Sequence, residues 1–259
     1  MSVNPLHLLA SIRRTVTHRF LGLTSNKGGQ CGTQNKANRD AWLERTLASI
    51  PAGRRILDAG AGELQYERFC AHLDYVSQDS AQYDGEGDGI GLQVGAWDQS
   101  LLDIVCDITN IPQPDASFDA VMCIEVLEHL PDPIGALREL ARVVKPGGTL
   151  MITAPFCSLS HYSPHFYYTG YSSNFFQHWL TELGFEIEDI QWNGNYFEYL
   201  GQELKRLPWV REKYADTTIT WSERIAINVV LGLVNRLSLH DNGSEQLLAY
   251  GLHIRARRR

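Results

Sequence analysis

The sequence predicts an α/β fold: a mostly parallel sheet with helices on both faces. Two observations carry that expectation. Short apolar runs alternate with helix-patterned segments from about residue 55 to 190, the signature of strands buried on both faces. Composition supplies the core, with 44% hydrophobic and 20% charged residues and no low-complexity stretch. At roughly 150 residues per domain, 259 residues make one large domain or one domain with additions.

The elements follow in order. Leu8, Leu9, Ile12, Val16 and Phe20 recur at helical spacing with Arg13, Arg14 and Arg19 between them, which predicts a basic amphipathic helix over 6–21. The polar, glycine-rich stretch 24–38 reads as a lid or linker, so 1–37 is taken as an N-terminal arm and 38–259 as the main domain. A helix over 38–50 ends at Pro51-Ala52-Gly53. Arg55-Ile56-Leu57 opens the first strand, followed by a glycine-rich turn and a helix at 64–71. Further strands are expected at 75–77, 102–105, 118–124 and 149–154, with a helix at 133–144 before the last of these. A helix at 172–183, stopped by Gly184, leads into a strand at 185–190. Residues 194–245 read as a helical insertion and 247–255 as the final strand. Within the insertion, the helix near 225–237 is apolar on more than one face, which predicts burial against the body or a second subunit.

Charge is unevenly spread. The formal net charge of −7 resolves into +7 over residues 1–55 (nine basic, two acidic) and four arginines without an acid over 252–259. The remaining body is −18 (10 basic, 28 acidic), which argues against the body lying on nucleic acid. Three partners suit the basic 6–21 segment: the protein's own body, as a lid; an anionic membrane surface, as a peripheral contact; or RNA phosphates. Five dispersed cysteines without a C-x-x-C pair fit a reducing cytoplasm. The N-terminus has no signal-peptide pattern, and the longest apolar run, 225–234, falls short of about 20 residues, so a soluble cytoplasmic protein is expected.

The most informative run is Ile56-Leu57-Asp58-Ala59-Gly60-Ala61-Gly62. An acid closes a buried strand, and glycines two apart let the backbone turn tightly beside a ligand at the carboxyl edge of a sheet. Asp79, 21 residues after Asp58, suits a vicinal ribose diol, because a carboxylate accepts from both hydroxyls. Asp107, beyond the third strand, can accept from an exocyclic adenine amine while Ile108 packs on the ring. Glu125 ends the fourth strand beside the expected reaction centre. Four acids therefore stand at four consecutive strand ends.

These residues resemble class I S-adenosylmethionine-dependent methyltransferases. The resemblance rests on Leu57 to Gly62, on Phe118-Asp119-Ala120-Val121 with Glu125-Val126-Leu127-Glu128-His129-Leu130, and on Val144-Lys145-Pro146-Gly147-Gly148-Thr149-Leu150, in family order. It implies a Rossmann-like sheet of seven strands with the last antiparallel, and S-adenosylmethionine as cofactor. Asp58, Gly60 and Gly62 would hold its methionine part, Asp79 its ribose, and Asp107 with Ile108 its adenine. Where the family usually has a third glycine, this chain has Leu64. A dinucleotide oxidoreductase competes for the same residues, but Gly60-Ala61-Gly62-Glu63-Leu64-Gln65 lacks the final glycine of G-x-G-x-x-G, and Glu63 would oppose a pyrophosphate.

The acceptor side is read from the loops after the fourth and fifth strands. The first supplies Glu125, Glu128 and His129; the second supplies His161 to Tyr168 and Tyr171, an aromatic wall for a flat or sugar-like acceptor or a plain packing cap. Glu125-x-x-Glu128-His129 also resembles the E-x-x-E-H of small-RNA 3′-terminal 2′-O-methyltransferases and ubiquinone-pathway O-methyltransferases, where a divalent ion orients an acceptor diol. His161 or His165 would then be a further ligand, although E-x-L-E-H also occurs across the superfamily without metal. Asp84 to Gly89 imitates the start of a calcium loop, but its twelfth position is Gly95, so it is read as an acidic turn-rich loop. The reading from sequence is O-methylation of a small-molecule or glycan-like acceptor by in-line transfer, without a resident metal. His129 and His165 are assigned to proton acceptance or acceptor orientation. The alternatives are a metal-assisted RNA- or quinone-type O-methyltransferase, and a cofactor-binding accessory protein without turnover.

Overall fold

The computed structural model describes residues 31–259; the basic helix expected at 6–21 lies outside them. The chain divides into two compact units. The larger comprises 35–194 and 247–259, and among the described residues the smaller comprises 31–34 and 195–246.

In the larger unit, β1 (Arg55–Ala59), β2 (Asp74–Asp79), β3 (Ile104–Val105), β4 (Phe118–Ile124), β5 (Val144–Pro155), β6 (Phe185–Asn193) and β7 (Gly251–Arg258) form one sheet. Their order is β3-β2-β1-β4-β5-β7-β6. β1 to β5 pair in parallel, and β7 runs antiparallel to both β5 and β6. This is the expected Rossmann-like seven-stranded sheet with its last strand antiparallel. Connections run one way from β1 to β2 and β3, and the other way from β4 onward. The loops leaving β1 and β4 therefore face each other across the topological switch point, where open α/β sheets bind ligands.

Two hydrophobic clusters sandwich the sheet. One joins Leu57, Val121, Ile152 and Ile254 to the helix α2 (Pro133–Val143) through Leu137 and Leu140, and to α3 (Ser173–Glu182) through Phe176 and Leu180. The other joins Ile56, Met122 and Met151 to Trp42, Leu43 and Leu47 of α1 (Asn35–Ala48). α2 starts where the sequence dictates: Asp132 accepts a hydrogen bond from the Gly135 N–H, and Pro133 occupies the first turn, where its missing donor costs nothing. α3 is capped by Ser172 and stops before Gly184, whose φ of +81° only glycine adopts readily.

Four expected elements differ. The helix over 64–71 is replaced by turns and a single 3₁₀ turn, Glu67–Phe69. Gly62 (φ +53°) and Leu64 (φ +61°) are left-handed, and a right-handed helix cannot propagate through them. β3 is cut to two residues because Asp103 turns back onto β2, accepting from both the N–H and the hydroxyl of Ser77. The glycine-rich linker ends at residue 34, since 35–38 already form the first turn of α1. The final strand begins at Gly251, not 247, where a Cβ would lie 2.5 Å from the Ala154 carbonyl oxygen.

The smaller unit pairs two helices, α4 (Tyr196–Tyr214) and α5 (Trp221–Ser238). α5 begins with a reciprocal cap: the Thr220 hydroxyl and the Glu223 N–H are bonded, and the Glu223 carboxylate accepts from the Thr220 N–H. Among the described residues, no helix is long and apolar enough to cross a membrane.

Candidate functional site

At the β1 end, the N–H groups of Gly60 and Ala61 both bond to the Gln78 carbonyl, which folds the loop tightly over β2. Gly60 has φ +81°, and a Cβ there would come within 2.4 Å of a Val126 methyl, so the loop after β1 touches the loop after β4. The Gly62 N–H donates to Asp79 Oδ2 at 3.0 Å, and the other oxygen of Asp79 accepts from the Ala81 N–H at 3.0 Å. Two backbone bonds thus fix the carboxylate's orientation and leave further lone pairs for a ligand. Beyond β3, Asp107 Oδ1 accepts from the N–H and hydroxyl of Thr109, and Ile108 is buried beside it.

Asp58 has a different environment from the other strand-end acids. Its side chain is buried and accepts from the Tyr75 hydroxyl at 2.6 Å. Desolvation pushes its pKa up to about 7.

At the β4 end, Glu125 sits in a left-handed conformation (φ +55°). Thr153 donates to one carboxylate oxygen at 2.8 Å, and Arg39 from α1 pairs with the other at 3.0 Å. Arg39, which the sequence reading missed, also donates to the Tyr66 hydroxyl. Burial works against its charge, but Glu125, Tyr66 and Asp40 together outweigh that and keep it cationic.

The 3₁₀ turn Leu127–His129 follows. Both oxygens of the buried Glu128 lack a hydrogen-bond partner among the described residues. Burial, reinforced by the charge of Glu125, raises the Glu128 pKa well above the carboxylate range. His129 Nδ1 lies 2.7 Å from the His165 carbonyl oxygen, so that nitrogen carries the proton and Nε2 the lone pair. Nε2 has no hydrogen-bond partner among the described residues and lies 3.8 Å from Glu128 Oε1. Desolvation depresses the His129 pKa to about 3, which keeps the ring neutral. His161 is oriented in the same way, with Nδ1 2.8 Å from the Leu159 carbonyl oxygen. One ligand atom from each of Glu128, His129 and His161 lies within 4.8 Å of the others.

The loop after β5 is strapped onto this turn. The N–H groups of Tyr167 and Tyr168 bond to the Glu128 carbonyl, and the Tyr171 hydroxyl bonds to that of Leu127. The Tyr162 ring stacks between His129 and Tyr83, at centroid distances of 5.0 and 4.8 Å. The acidic loop 84–95 joins the same wall: Ser163 donates to Asp88, and the Leu92 and Tyr162 backbones bridge. Two of its acids serve as turn acceptors, Asp84 for the N–H groups of Glu86 and Gly87 and Asp88 for that of Ile90.

A cavity of about 330 Å³ runs between these walls. Gly60, Asp79, Asp107 and Ile108 line one end, and Glu125, His129, Tyr162, His165 and Tyr167 line the other. Of the nine residues singled out from sequence, seven line it; Asp58 and Gly62 sit behind the wall.

A family model described as a methyltransferase domain matches residues 57–152. A curated relative named ubiquinone biosynthesis O-methyltransferase, from Xanthomonas campestris pv. campestris (strain B100), is 45% identical over 163 residues, covering 59% of this chain and 66% of the relative. The chain belongs to the class I S-adenosylmethionine-dependent methyltransferase family.

A relative of the same name from Alkalilimnicola ehrlichii is 32% identical over 140 residues, covering 48% of this chain and 51% of its own length. The chain thus spans less than two thirds of the curated relatives' length. Among solved structures, a SAM-dependent methyltransferase from Archaeoglobus fulgidus superposes with a TM-score of 0.52 at 19% identity, over 85% of this chain and 93% of that one. The [4+2]-cyclase SpnF gives the same score at 20% identity, over 89% and 83%. These two likenesses speak to the fold alone. Family membership brings S-adenosylmethionine as the cofactor, and the cavity's first end has the donors and acceptors to suit it: a tight glycine turn, an oriented carboxylate and an apolar wall at Ile108.

Proposed function

We propose that the protein transfers a methyl group from S-adenosylmethionine to an oxygen of a small, hydroxylated, flat acceptor by direct in-line displacement. The observation that carries this reading is the continuous cavity, with a nucleoside-type end at Asp79 and Asp107 and an aromatic end at Tyr162, His165 and Tyr167. The names of the curated relatives support oxygen as the acceptor atom.

In this reading Asp79 holds the ribose hydroxyls, Asp107 and Ile108 the adenine, and the Gly60 turn the methionine portion. Glu125, fixed by Arg39 and Thr153, places negative charge near the donor's sulfonium. Asp58 and Gly62 act from behind, one packed under the loop and the other orienting Asp79. A ring whose pKa lies near 3 is a poor proton acceptor at neutral pH, so His129 orients the acceptor through its Nε2 lone pair, and the hydroxyl proton leaves to water as the methyl passes from sulfur to oxygen. His165 lines the same wall and closes the pocket. Transfer of labelled methyl from S-adenosylmethionine to a panel of catechols and hydroxylated aromatics tests the reading; cofactor binding with no transfer to any oxygen acceptor overturns it in favour of an accessory role.

A second reading is favoured by the three facing ligand atoms and by the partnerless oxygens of Glu128. Two histidines, each with Nδ1 on a backbone carbonyl, point their lone pairs as metal-binding histidines do. Glu128, His129 and His161 would then hold a divalent cation, which when bound draws a phenolic hydroxyl toward its ionised form. Dialysis against a chelator, followed by readdition of single metals, separates the two: full activity without metal leaves the first reading alone.

A further inference from the structure

We infer that the outer face of α5 is the contact between two copies of this chain, with the two helices antiparallel about a two-fold axis. At about 100° per residue, Trp221, Ile225, Val229, Val230, Leu233, Leu237 and Leu239 fall in one arc about 180° wide. Each is between 38% and 78% exposed, whereas Val234, just beyond the edge of the arc, is buried. Together they leave on the order of 700 Å² of apolar surface open, above the largest patch of a typical monomer (about 300–600 Å²) and near the ~800 Å² that each partner gives a standard interface.

Three features select a second copy over a lipid surface. Interfacial helices carry a lysine- and arginine-rich polar side. Residues 195–246 instead hold six basic and seven acidic side chains, and the whole chain is at −7. Arg236 is the one charged residue within the arc, and Glu223 stands near the opposite end of the helix. Antiparallel pairing centred between Val229 and Val230 sets each Arg236 level with the other copy's Glu223 along the helix axis; parallel pairing would set Arg236 against Arg236. Finally, Gly232 interrupts the helix at the edge of the arc, where a Cβ would meet nothing within 4 Å. Glycine weakens a helix, and nothing in its own surroundings needs one there; a second helix backbone approaching closely would.

The test is sedimentation velocity of the full chain over a micromolar dilution series, with Leu233→Glu as the disrupting variant. Wild type should sediment at twice 29.2 kDa and Leu233→Glu at 29.2 kDa, with an unchanged circular dichroism spectrum and a melting temperature lowered only by the loss of association. Under mild oxidation Val229→Cys should cross-link to itself and Ile225→Cys should not. A monomeric wild type overturns the inference, and its binding to phosphatidylcholine/phosphatidylglycerol vesicles would reassign the face to lipid. A dimer that survives Leu233→Glu, or cross-linking at 225 instead of 229, overturns it equally.

Discussion

Replacing Asp79 with alanine separates its two roles. In the folded protein the carboxylate accepts from Gly62 N–H and Ala81 N–H, both at 3.0 Å. Ala81 is exposed, so water takes over its N–H; Gly62 is buried, and an unsatisfied donor there costs about 1–3 kcal/mol. The variant should therefore fold, with its melting temperature lowered by a few degrees. Loss of two charge-assisted bonds to the ribose hydroxyls, at no less than about 1.5 kcal/mol each, removes roughly 3 kcal/mol of binding. At 1.4 kcal/mol per tenfold, Kd for S-adenosylhomocysteine should rise by more than 100-fold. Titration calorimetry measures both proteins directly. Asp79→Asn should fall between, because its single amide oxygen can serve one backbone donor while its NH₂ opposes the other. Affinity within threefold of wild type in Asp79→Ala would refute the ribose assignment.

Other outcomes follow from the same geometry. Gly60→Ala places a methyl within 2.4 Å of Val126 on a left-handed residue, so its stability should drop by roughly 2–4 kcal/mol in urea titration, and S-adenosylhomocysteine affinity should fall with it. Asp58 has a folded pKa of about 7, above its unfolded value near 3.9, so its contribution is fully present below the unfolded pKa and is lost as pH rises through 7. Wild type should lose up to about 4 kcal/mol from this group between pH 4 and 8, and Asp58→Asn should not; parallel slopes in urea unfolding would remove the assignment. Arg39→Met strips Glu125 of its cation, and kcat should fall at least tenfold with Kd for the donor less affected; equal losses in both would place Arg39 in donor binding instead.

Much of this site was legible because its signals are local. The run from Leu57 to Gly62 carries its own strand and turn, and Asp132-Pro133 announces its helix without outside help. Strand β4 fell where its apolar run did, at Phe118–Ile124. What escaped depends on partners distant in sequence. Arg39 looks like any helical arginine until Glu125, 86 positions away, is placed against it. The shortening of β3 needs Ser77 to receive Asp103. Leu64 was visible as a departure from the family glycine, but not that its backbone would keep a glycine-like φ of +61° and so abolish the following helix. The partnerless oxygens of Glu128 likewise emerge only when the loop after β5 closes over the 127–129 turn.

The proposed seat of the S-adenosylmethionine donor is the cavity between the β1 and β4 loops. The most direct measurement is the melting temperature of the full chain with S-adenosylhomocysteine or NADH. A ligand at 100 times its Kd stabilises the native state by about 2.7 kcal/mol, and for a chain of this size each kcal/mol is worth about 2–4 °C. A rise of roughly 5–10 °C is expected with S-adenosylhomocysteine and none with NADH. A rise with NADH alone would contradict it.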